Sequence, residues 1–78
     1  MRFNLQRLKF ERLSRNVTQE EVAKVLNITR GSYHKKETGK LKLSVEEFAL
    51  VLDRLGIPEK EASNFFVSNV PERERSMA

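Results

Sequence analysis

The chain has 78 residues, a formal net charge of +4, one histidine and no cysteine. So short a chain makes one thin-cored domain; it has no disulfide or thiolate metal site, and a lone histidine argues against any other metal centre. The positive excess permits an anionic partner, and the start MRFNLQRLKFERL is too charged for a secretory leader or membrane span, so a cytoplasmic protein with no membrane association is expected.

Helix signals run the length of the chain. The first helix is predicted at 3–15, with Phe3, Leu5, Leu8 and Leu13 as its apolar positions and Asn16 as a left-handed stop. The second is predicted at 18–26. Thr18 and Glu21 form a capping box, Val17 and Val22 a hydrophobic staple, and Val22, Ala23, Val25 and Leu26 an apolar face. Asn27, which like Asn16 can serve as a left-handed stop, and Ile28 alone separate it from a third helix at 29–38, capped by Thr29, with Ile28 and Tyr33 at staple spacing. Gly39 is expected to stop that helix in a left-handed conformation.

A fourth helix is predicted at 44–55. Ser44 and Glu47 repeat the capping box, Leu43 and Phe48 the staple, Val45, Phe48, Val51, Leu52 and Leu55 the apolar face, and Gly56 the stop. Pro58 suits the first turn of a fifth helix at 58–67. Residues 68–78 are polar with Pro71 near their start, and are expected to be a flexible tail after a domain spanning 1–67.

Charge is unevenly spread. Residues 1–16 carry Arg2, Arg7, Lys9, Arg12 and Arg15 against Glu11, and residues 29–42 carry Arg30, Lys35, Lys36, Lys40 and Lys42 against Glu37. The two-residue link between helices 2 and 3 forces a wide crossing, as in a helix-turn-helix. The third helix has little to bury beyond Tyr33, so Arg30, Ser32, His34 and Lys35 stand on free sides. A helix presented this way fits the major groove of DNA, which is about 12 Å wide. An enzyme is not expected: the sequence offers no paired carboxylates, no nucleophile beside a base and no glycine-rich phosphate loop.

The stretch TQEEVAKVLNITRGSYHKKETGKLKLSVEEFALVLDRLGI resembles the Cro/cI-type, or XRE, helix-turn-helix domain of phage and bacterial repressors. Thr18-Gln19, Ala23, Ile28, Thr29-Arg30, Glu37-x-Gly39-Lys40 and Leu55-Gly56-Ile57 carry the resemblance, which covers about residues 5–57. It implies an all-α, five-helix, lambda-repressor-like fold and a Cro-like transcriptional repressor without cofactor or small-molecule ligand. Arg30, Gly31, Ser32 and Lys35 would face bases or flanking phosphates. Gln19, Thr29, His34, Lys40 and Lys42 would contact phosphates. Arg12 and Glu37 would form an internal ion pair. A homodimer through helix 5, using Phe65, Phe66, Val67 and Val70, would place two recognition helices on a palindromic operator. Two residues depart from the pattern. Gly31 removes a side chain from a reading position. Lys36 stands where an apolar residue is usual, so either its stem lies on the core with the ammonium in solvent or helix 3 is displaced. The alternative function is an antitoxin or protein-interaction module of the same fold.

Overall fold

A computed structural model describes residues 2–67. The expected tail at 68–78, and with it Val70 of the expected dimer surface, lies outside the described residues. Among those described, the order is β1 (Arg2–Phe3), α1 (Leu5–Ser14), α2 (Gln19–Leu26), α3 (Arg30–Glu37), α4 (Val45–Leu55), a 3₁₀ helix (Glu59–Phe65) and β2 (Phe66–Val67). The fold is all-α, closed by one very short antiparallel ladder that pairs Arg2 with Val67 and Phe3 with Phe66.

The caps explain the helix boundaries. Thr18 and Ser44 both form complete capping boxes, with Glu21 and Glu47, and Thr29 accepts from the Ser32 amide at 3.1 Å. Asn16, Asn27, Gly39 and Gly56 all have positive φ, so each expected stop residue does turn left-handed. Helix 1 differs from expectation at its start. Asn4 accepts from the Arg7 amide at 3.0 Å and caps the helix, leaving Phe3 outside it in β1.

The core joins Leu8, Val17, Val22, Ala23, Tyr33, Leu43, Phe48, Val51, Leu52, Leu55, Ile57 and Phe65, with Phe3, Leu5, Leu26, Ile28, Ala62 and Phe66 packed at its edge. The staples of Val17 with Val22 and Leu43 with Phe48 lie within it, and that of Ile28 with Tyr33 joins its edge to its interior. Leu13, Val25 and Val45, expected in the core, are instead exposed. Helix 1 turns Leu8 and Arg12, one turn apart, to the inside. Leu13 follows Arg12 by about 100° and therefore faces out.

The C-terminal end corrects a second expectation. The segment after Pro58 is 3₁₀ rather than α; Ser63 and Asn64 near its end are poor helix-interior residues. It stops at Phe65, and Phe66 is extended at φ −107°, ψ 140°. Phe65 is only 2% exposed, with its ring edge-on to Phe48 at 5.5 Å. Phe66 is half-buried, 5.1 Å from Phe3 and 5.6 Å from Phe48. Phe65 thus belongs to the core of the single chain and has no surface to offer a partner.

Candidate nucleic-acid interface

The turn between α2 and α3 is held by backbone bonds. Asn27, left-handed, sends its N–H to Lys24 O, and Ile28 N–H reaches Ala23 O at 3.0 Å. Ile28 then packs at the core edge while Thr29 restarts the chain as a cap. Helix α3 buries only Tyr33 and Glu37, one turn apart, with Ser32 and Lys36 half-buried. Arg30, Gly31, His34, Lys35 and Thr38 are exposed. They form one continuous outward face by helical spacing.

Polar anchors hold α3 where apolar contact is scarce. Arg12 Nε and Nη2 donate to the two carboxylate oxygens of Glu37 at 2.8 and 3.0 Å, and Nη1 donates to Val17 O at 2.8 Å. One forked guanidinium therefore ties α1, the loop before α2 and the end of α3. Gln19 Nε2 donates to the same carboxylate at 3.1 Å and lies 3.3 Å from His34 Nδ1. Burial pushes Glu37 toward protonation, but the bonds from Arg12 and Gln19, with the Tyr33 hydroxyl close by, outweigh it and hold its carboxyl below the ordinary range. The Arg12 guanidinium is shifted up, chiefly by that same hydrogen bond. The Tyr33 hydroxyl is buried beside this pair with no hydrogen bond of good geometry. Burial first, and the Glu37 carboxylate second, raise the phenol well above its ordinary value.

Lys36 settles between its two alternatives in a third way. Its ammonium donates to Lys42 O at 2.9 Å and to Glu47 Oε1 at 3.0 Å. The stem stays against the protein, and the charge ends on the capping box of α4 instead of in solvent. The backbone bond from Ser44, and after it Lys36, keep the Glu47 carboxyl below the ordinary range despite partial desolvation. Lys36 thus clamps α3, the following loop and α4 together, a role with no signal in residue spacing.

These pairings sort the cations. In the first basic segment Arg7 and Arg15 share Glu11, and Arg12 is taken by Glu37. In the second, Lys36 is taken by Glu47. Arg30, Lys35, Lys40 and Lys42 form no ion pair among the described residues. All four are exposed, two on α3 and two just after it. A shallow groove of about 600 Å³ runs from Arg30 to Asn16, Thr18 and Gln19 at the start of α2, with the exposed Leu13 on its rim. Arg30 and the N-terminal amides of α2 lie along this groove, an arrangement that suits a phosphate.

The remaining expected contacts are placed as follows. Ser32 turns its hydroxyl back to Thr29, whose own hydroxyl donates to it at 3.0 Å while accepting the Ser32 amide. Both hydrogen-bonding roles of Thr29 are thus used in the cap. The Gln19 side chain buttresses α3, leaving its backbone amide at the α2 N-terminus. Gly31 stands in open space: an added Cβ would meet nothing within 4 Å.

A family model described as Helix-turn-helix matches residues 8–61. No curated protein and no solved structure matches the chain.

Proposed function

The chain belongs to the Cro/cI-type, or XRE, helix-turn-helix family of DNA-binding domains, and from that membership we propose that it is a sequence-specific transcriptional repressor that lays α3 in the major groove. One observation carries the reading. Internal carboxylates take up Arg7, Arg12, Arg15 and Lys36, and of the exposed cations left without an ion pair among the described residues, Arg30, Lys35, Lys40 and Lys42 cluster on or just after α3, whereas Lys9, Lys24 and Lys60 stand singly on other elements. In this reading Arg30, Gly31, Ser32 and Lys35 face base edges or their flanking phosphates. Gln19, Thr29, His34, Lys40 and Lys42 lie along the phosphates, Gln19 and Thr29 through their backbone amides at the helix starts. The protein works in the cytoplasm, where its DNA is.

Regulators of this kind act as homodimers on palindromic operators, with the two recognition helices about one DNA turn, 34 Å, apart. Phe65 is excluded from such an interface by burial. The surface we assign to it is the groove between α4 and the 3₁₀ helix, where Val45, Ala49, Ala62 and the outer edge of Phe66 are accessible. That same apolar groove supports the second reading, an antitoxin or adaptor of the same fold that holds a different protein there.

Salt separates the two. With about six phosphate contacts, affinity for a duplex should fall about a thousandfold or more between 50 and 200 mM salt. Binding to DNA that ignores salt, or that is absent at low salt, would contradict the repressor reading.

A further inference from the structure

Gln19 and His34 meet through atoms whose chemistry fixes a proton. The Gln19 side-chain nitrogen lies 3.1 Å from a Glu37 carboxylate oxygen and 3.3 Å from His34 Nδ1. Glu37 decides which end of the amide faces it. Turning the amide over would press a carbonyl oxygen against a carboxylate already held by Arg12. The nitrogen must therefore face inward, with one N–H directed to Glu37 and the other to the ring. His34 Nδ1 can only accept that second N–H, so the neutral ring carries its proton on Nε2. Nε2 has no partner among the described residues, and the side chain is exposed on the outward face of α3.

We propose that Gln19 is a positioning residue that locks His34 in the Nε2–H tautomer, so that its outer N–H is offered as a donor to a DNA phosphate oxygen. The buried Arg12–Glu37 pair is the anchor of this relay, Gln19 its link and His34 its outer end. A phosphate oxygen is an acceptor only. A ring protonated on Nδ1 would present a lone pair to it and repel; a ring protonated on Nε2 bonds it without carrying charge. The proposal rests on α3 being the DNA-facing helix, but its first half concerns the free protein alone.

His34 is the only histidine in the chain, which makes its ring nitrogens directly assignable by ¹⁵N NMR. Spectra are recorded at alkaline pH, where the ring is neutral, on the free chain and on the chain with a random-sequence duplex at low salt. The free protein should show a protonated Nε2 and an unprotonated Nδ1. Gln19→Met, which keeps the length of the side chain and removes its N–H groups, should relax the ring toward a mixture of tautomers. Added duplex should shift the Nε2 resonance in the parent chain, and shift it less in Gln19→Met. A ring found mainly as Nδ1–H in the parent chain, or a tautomer unchanged in a folded Gln19→Met, overturns the lock; the parent spectrum needs no variant to fold. An Nε2 resonance unmoved while backbone amides of α3 do shift overturns the phosphate contact. If no amide shifts at all, the failure lies with the DNA-binding reading, and the tautomer of the free protein still decides the lock.

Discussion

Arg12 and Glu37 are joined by two parallel hydrogen bonds of 2.8 and 3.0 Å, with side chains only 6% and 1% exposed, across 25 residues of sequence. Either group alone would be a buried charge without compensation. Glu37→Gln or Arg12→Met should each cost about 3–5 kcal/mol of stability, read by denaturant unfolding. Replacing both by apolar residues of similar volume should recover much of that loss. The carboxyl of Glu37 sits below its unfolded-state value of 4.5, so the pair's contribution is complete above that value and drains away as the pH falls below it. A Glu37→Gln chain should show a smaller acid-side loss of stability than its parent. An equal loss in both would place the acid sensitivity elsewhere.

Lys35 and Lys36 are neighbours with opposite assignments. Lys35 is exposed and free of ion pairs, whereas Lys36 is spent on Glu47 and Lys42 O. Lys35→Ala should leave stability nearly unchanged and reduce the salt slope of DNA binding by about 1. Lys36→Ala should do the reverse, lowering stability by up to about 1 kcal/mol and leaving the salt slope alone. Thermal melts and binding at four or five salt concentrations on both variants check the pair. Equal slopes would contradict the division.

Gly31 is a helical residue with empty space where its Cβ would be. Nothing in the protein's own packing requires glycine there. Gly31→Ala should therefore stabilise the chain by about 0.5–1 kcal/mol through helix propensity. If the backbone of α3 comes close to DNA at this point, the same change should weaken binding about tenfold or more. Denaturation and duplex titration on one preparation give both signs. A variant that is both more stable and equally tight on DNA would remove close approach as the reason for the glycine.

Ala49 lies exposed in the groove proposed for a second copy. Ala49→Glu adds a charge there without disturbing the core, which Phe66→Ala would do. Sedimentation and DNA stoichiometry should show the dimer weakened at least tenfold and half-site binding in place of full-site binding. Unchanged assembly by a folded variant would move the interface off this groove.

Sequence and structure agree where the chemistry is local. Thr18 with Glu21, Ser44 with Glu47, and the four left-handed stops are legible because each motif closes within a few residues. The Arg12–Glu37 pair spans too many residues for local reasoning and was reachable only through family resemblance. Lys36–Glu47 was hidden because Glu47 already has a complete local role in its capping box, and nothing in spacing says that it accepts a second donor. The β1–β2 ladder escaped because two residues a side are too few to show alternation. Phe65 is misread because nothing in the local pattern shows that the helix stops there, two residues before the expected end at 67, with Phe66 extended after it. Leu13 was misread because Arg12 takes the inward position that a leucine beside it was expected to share.

The central claim is that α3 reads double-stranded DNA, and selection of bound sequences from random duplexes at moderate salt tests it most directly. The account predicts an enriched motif with two-fold symmetry, its half-sites about 10 base pairs apart centre to centre. Recovery of no enriched sequence at any salt concentration would contradict it.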